Sequence, residues 1–130
     1  MQIRLSQKMN LLVSQQSKKK GHQKWCPFYI ERNVAMIKIS HHDNKITVKG
    51  HAGYAPHGQD IVCASISALI QVFVASVEEL SGDTLKCEIR QGNAVISYKN
   101  LSEKSRTLLD SFLLGCRMIA DSYPQHVRID

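Results

Sequence analysis

From Met36 onward the apolar positions of the chain fall into regular patterns. Ile37 and Ile39 alternate with polar neighbours, His42-Asp43-Asn44 makes a turn, and Ile46 and Val48 alternate again ahead of His51. Alternation with a period of two marks a half-buried strand, so this stretch predicts a β-hairpin with one buried face. The period then changes. Residues 60–80 read as a helix that is apolar nearly all round, with no charge from Ile61 to Val77. The run is at the short end of the roughly 17–25 residues that cross a bilayer, and Ser65, Ser67, Gln71 and Ser76 interrupt it. It is expected to be buried against a sheet and a second partner, such as another subunit, and not to span a membrane.

Ser81-Gly82-Asp83 stops that helix. Two strand-like runs follow, Thr84–Gln91 and Ala94–Lys99, and Gly92-Asn93 between them suits a tight hairpin turn. A second helix is predicted from Ser102, its capping candidate, to Ser122, with Leu108, Leu109, Phe112, Cys116, Ile119 and Tyr123 recurring at helical spacing. Lys104, Arg106, Asp110 and Arg117 occupy its other face. Pro124 ends it, and Val127-Arg128-Ile129 forms a last short strand. The order ββαββα(β) gives a single α+β domain, a mainly antiparallel sheet with two helices.

Residues 1–35 show no such period. They are rich in Gln and Ser and hold seven Lys and Arg residues against Glu31, whereas residues 36–130 hold ten basic and ten acidic groups. The whole net charge of +6 therefore belongs to the first segment, and no nucleic-acid face is expected on the domain that follows. The first segment reads as a disordered basic arm, a transit peptide or upstream sequence foreign to the natural protein. Codons for Glu31-Arg32-Asn33 can spell a purine-rich ribosome-binding sequence at a suitable distance before Met36, which points to Met36 as the start.

The chemistry concentrates between Gly50 and Leu69, GHAGYAPHGQDIVCASISAL. Asp60 precedes the apolar run as an N-cap candidate, which puts Cys63 in the first turn of the helix. A thiolate there is favoured by the helix dipole and by free N–H groups, so a lowered pKa is expected. His51 lies at a strand end, and the intervening loop is long enough to bring its imidazole beside the sulfur. Cys and His within hydrogen-bond reach are the minimum for covalent thiol catalysis. In that reading Cys63 attacks and His51 serves as base and then acid, with backbone N–H groups around Cys63 holding the oxyanion. Asp60 caps the helix, orients His51 or holds a substrate amide. The loop Gly53–Gln59, with Gly53, His57 and Gly58, is placed to order over a substrate.

The cysteines and histidines admit other uses. Cys87 and Cys116 fit buried small apolar positions, no C-x-x-C spacing includes Cys26 or any other cysteine, and no signal peptide precedes them, so a reducing cytosol is expected. His51, His57 and Cys63 are possible zinc ligands, but their spacing matches no familiar zinc pattern; no metal and no cofactor is expected. A non-enzymatic reading is a peptide- or ribosome-binding α+β module.

Gly50-His51-Ala52, then Gly58, Asp60-Ile61-Val62-Cys63-Ala64 and Ser67-Ala68-Leu69 resemble the signature of the ribosomal-processing cysteine protease family of certain bacteria. The likeness runs in order and length of elements from Met36 to the last residue. It implies a homodimeric cysteine endopeptidase that removes a short N-terminal extension from large ribosomal subunit protein twenty-seven. Its implied partner is therefore the N-terminal peptide of a ribosomal protein precursor.

Overall fold

A computed structural model describes residues 35–130, which form a compact unit of their own. The leader and start-site expectations fall on sequence ahead of it, outside the described residues. Strands β1 (Ile37–His42) and β2 (Lys45–Lys49) pair antiparallel, with His42 opposite Lys45. The turn is thus Asp43-Asn44 alone, one residue shorter than expected. Both residues have positive φ, 50° and 58°, as a two-residue turn matched to strand twist requires.

Strands β3 (Lys86–Arg90) and β4 (Asn93–Ser97) form the second hairpin. Arg90 pairs with Asn93, so the turn is Gln91-Gly92 and not Gly92-Asn93, and both strands are shorter than the sequence runs suggested. Strand β5 (Val127–Ile129) lies parallel to β1, with Ile37 opposite Val127. The five strands follow the order β3-β4-β2-β1-β5, a mixed sheet that is mainly antiparallel.

Helix α1 spans Ile61–Ser76 and continues into a π turn over Val77–Ser81, which Gly82 ends with φ 75°. Helix α2 spans Glu103–Ser122 and is capped by Ser102, whose hydroxyl accepts the Ser105 N–H. The two meet at one corner through Asp83. Its carboxylate accepts the Ser102 N–H and the Ser102 and Ser105 hydroxyls, and Ser105, fully buried, also bonds the Ser81 hydroxyl. Those bonds hold the Asp83 carboxyl below the usual carboxylate range.

One core lies between the helices and one face of the sheet. Ile37, Ile39, Ile46, Val48, Ala94 and Ile96 face it from the strands, and Val62, Ile66, Ile70, Phe73, Leu109, Phe112 and Cys116 from the helices. Phe73 and Phe112 stack with ring centroids 5.1 Å apart; truncating either to alanine costs about 3–5 kcal/mol. By length and composition the α1 segment Ile61–Ser81 passes for a membrane span, with mean hydropathy 2.0, yet its inner residues are committed to this core. Its outer residues Ile61, Val72 and Leu80 are exposed, as are Leu114 and Met118 of α2.

Candidate active site

The site is built where β2 ends and α1 begins. Asp60 caps α1 with one carboxylate oxygen, which accepts the Val62 and Cys63 N–H groups at 3.0 Å each. The second oxygen accepts the N–H groups of Tyr54, at 3.0 Å, and Ala55, at 3.4 Å. The expected capping role is present. Orienting His51 is not, because both oxygens are occupied and the second one pins the loop. Burial raises the Asp60 pKa, but the four N–H donors outweigh it and hold the carboxyl below its ordinary value.

Cys63 is half-buried, and its Sγ receives the Ala52 N–H at 3.2 Å. Its pKa lies above the ordinary thiol value and not below it. Burial is the largest influence and pushes it up, the Ala52 N–H pulls it down, and the charge of Asp60 pushes it up again. The expectation of a dipole-activated thiolate is corrected first by burial of the sulfur, and then by the cap, which is itself an anion and occupies the Val62 and Cys63 N–H groups. The same occupancy removes the Val62 and Cys63 amides as ready oxyanion donors.

His51 is exposed and stands next in sequence to Ala52, at the same end of the molecule as Cys63. No hydrogen bond joins the two side chains. The imidazole rests instead on the β3–β4 turn: a Cβ at Gly92 would come within 2.7 Å of His51 Nε2. Gly92, with φ 71°, holds that turn against the end of β2 by accepting the Gly50 N–H at 2.9 Å.

The loop divides into a pinned part and a free part. Tyr54 and Ala55 are held by Asp60, while Pro56, His57, Gly58 and Gln59 are exposed around a turn closed by the Gln59 N–H on the Pro56 carbonyl. Gly53 and Gly58 both have positive φ, 64° and 88°. Among the described residues no group of three or more His, Cys, Asp or Glu side chains is placed to share a metal ion, so His51, His57 and Cys63 form no such cluster. A shallow cleft of about 300 Å³ lies elsewhere, at the Asn44 end of β2, and includes none of these residues.

Two further residues complete the site. Ala52 is fully buried, and its carbonyl accepts the Nδ1–H of His126 at 2.8 Å, so one peptide segment links the thiol to the residue ahead of β5. The ring of His126 meets Tyr54 edge-on, and Tyr54 meets Tyr123 the same way. Nothing local in the sequence marks His126. Only the parallel pairing of β5 with β1 brings it to Ala52.

Comparison with known proteins shows a family and a fold. Residues 33–128 match the family described as cysteine protease Prp. The chain is 31% identical over 103 residues to the ribosomal processing cysteine protease Prp of Mycoplasma pneumoniae, covering 73% of this chain and 94% of that relative. It is 35% identical over 99 residues to the protein of the same name from Mycoplasma genitalium, covering 73% and 95%. Among solved structures, the S. aureus Prp with a covalently linked product peptide superposes with a TM-score of 0.67 at 21% identity, covering 74% of this chain and 97% of that one. A Streptococcus mutans protein gives 0.64 at 28% identity, covering 74% and 93%.

Proposed function

The chain belongs to the cysteine protease Prp family, and from that membership we propose an endopeptidase in which Cys63 is the nucleophile and His51 its base, acting on the N-terminal extension of large ribosomal subunit protein twenty-seven. The observation that carries this reading is the 3.2 Å contact between the Ala52 N–H and Cys63 Sγ. It sets the backbone next to His51 against the thiol, which supports a pairing of the exposed imidazole with the sulfur once the ring leaves Gly92.

The raised thiol pKa supports a base role for His51. A thiol that stays protonated at neutral pH needs a base to take its proton as it attacks. Sγ then bonds to the scissile carbonyl carbon while the carbonyl electrons move to oxygen. The imidazolium returns its proton to the amine as the C–N bond breaks. Water, deprotonated by His51, next cleaves the thioester and releases the thiolate. The Ala52 N–H, already aimed at the sulfur, takes over from the helix-start amides as the nearest oxyanion donor. The free turn Pro56–Gln59 closes over the bound peptide from a base fixed by Asp60.

The exposed apolar residues of α1 and α2 suit a homodimer, and the free cysteines suit a reducing cytosol. The test is incubation with the ribosomal protein precursor from the same source and measurement of product masses. Loss of a short N-terminal piece from the precursor is expected; a precursor of unchanged mass counts against the substrate, and cleavage surviving Cys63→Ala counts against the nucleophile.

A further inference from the structure

The balanced charge of residues 36–130 conceals a segregation. The sheet face turned away from the helices carries Lys38, Lys45, Lys49, Lys86, Arg90 and Arg128, all exposed, against Glu88 and Asp130. The remaining eight acidic groups and four basic groups of the domain lie elsewhere. One face is therefore positive and the rest of the surface negative.

The register orders these cations into rows. Arg90 pairs with Asn93, Asn93 with Lys49, Lys49 with Lys38 and Lys38 with Arg128, a line that crosses all five strands without a carboxylate. Strands lie about 4.8 Å apart, so the line is about 19 Å long. Lys86, Ser97, Lys45 and His42 form a second line four residues along, about 13 Å away. Ser40, Thr47, Val95 and Glu88 lie between them, and a shallow depression of about 280 Å³ opens among Lys45, Lys86, Glu88, Val95 and Ser97. Like charges directly opposite one another destabilise a sheet, and Lys49, Lys38 and Arg128 stand on three adjacent strands. Among the described residues the one ion pair on this face joins Arg128 to Asp130, at 2.8 Å.

We propose that this open sheet face is a docking surface for the phosphate backbone of double-stranded RNA. Two cationic lines across one sheet face complement paired runs of phosphates. No Phe, Tyr or Trp stands in either line, and the one ring there, His42, ends the second, so the multi-base stacking platform that single strands use is missing. The hydroxyls of Ser40, Thr47 and Ser97 and the amide of Asn93 match the 2′-hydroxyls exposed in the shallow minor groove of an A-form helix. A five-stranded face is too wide to enter the major groove of B-form DNA, which admits a helix or a two-stranded ribbon. The first line lies at the Cys63 end of the sheet: Lys49 is two residues from His51, and Arg90 two from Gly92. Bound RNA is thereby held beside the proposed protease site. The surface is argued independently of that site, and its test reads binding alone.

The experiment compares full-length proteins by fluorescence anisotropy with a labelled RNA duplex of about 20 base pairs. One variant replaces Lys38, Lys49, Arg90 and Arg128 with Gln; a second replaces Lys99, Lys104, Arg106 and Arg117 with Gln. The two have equal net charge, and both keep the basic residues 1–35. The first is expected to bind at least about tenfold more weakly, with a salt dependence shallower by about three to four, and the second to stay within about twofold of the parent. Exchanging Lys and Arg at the four row positions should preserve binding. Equal losses in the two Gln variants, loss on the Lys/Arg exchange, or parent affinity for a DNA duplex, a polyglutamate peptide or phosphatidylglycerol vesicles at least matching that for RNA would each overturn the proposal.

Discussion

The imidazole of His51 lies on Gly92, so closely that a methyl group there would stand 2.7 Å from Nε2. Gly92→Ala should therefore displace the ring. Positive φ at the same position adds a backbone cost of about 1 kcal/mol. Because the ring leaves this seat when it pairs with the thiol, we expect kcat/KM to stay within about twofold of the parent once the stability loss is allowed for, with the His51 ring resonances shifted in NMR spectra. A fall of about tenfold or more would show that the ring works from its place on Gly92.

Cys63→Ala should abolish cleavage and leave the fold intact, since it removes one sulfur at a half-buried helix start. His51→Ala should lower kcat by about 10²–10⁴-fold, the usual contribution of a positioned base. Product masses and thermal melts check both. Residual cleavage by the Cys63 variant at the parent rate would reassign the nucleophile.

Asp60→Asn keeps an acceptor for the cap but removes the anion that raises the Cys63 pKa. Alkylation of Cys63 by iodoacetamide near neutral pH should accelerate. The Tyr54 and Ala55 amides would then face an NH₂ group or a neutral oxygen, so the loop should also exchange its amide hydrogens faster. An alkylation rate equal to the parent's, measured as a function of pH, would mean that burial and the Ala52 N–H set the thiol pKa without Asp60.

His126→Phe retains a ring against Tyr54 and removes the donor to the Ala52 carbonyl. A buried carbonyl left without its partner costs about 1–3 kcal/mol, a fall in Tm of about 4–8 °C for each kcal/mol in a domain of this size. Calorimetry measures it. His126→Gln should recover part of the loss by restoring an N–H donor.

Acid should weaken the domain through two carboxylates. Asp60 and Asp83 both have folded pKa values below their ordinary ones, so each stabilises the fold above the unfolded value of about 3.9 and stops doing so as pH falls through the lower folded value. Urea midpoints should therefore drop below about pH 4. In the Asp83→Asn protein that drop should be shallower, because Ser102 and Ser105 then meet a group that does not titrate.

Short-range patterns were legible in the chain because they follow from period and capping. Ile37, Ile39, Ile46 and Val48 are buried as their alternation predicts, and Asp60 and Ser102 cap the helices they precede. Turn positions slipped by one residue where Gly92 and Asn93 were both plausible turn formers; strand pairing decided between them. The thiol environment was not legible, because burial of the sulfur depends on tertiary packing, and because the Asp60 carboxylate is both the cap and a charge that opposes a thiolate. His126 and the cation rows were invisible because each depends on pairing across strands: β5 with β1 in one case, all five strands in the other. A balanced sum of charges says nothing about which side of a sheet they occupy.

The parallel partnership of β5 with β1 joins the two most distant strands of the fold, and it has a consequence for timing. His126 reaches Ala52 only when β5 has docked, a contact across 74 residues of sequence and so of the kind that topology makes slow to form. Until then β1 is an unprotected edge, open to pairing with other chains. Maturation of the thiol site and protection against aggregation thus arrive in one event, as the end of the fold closes on its beginning.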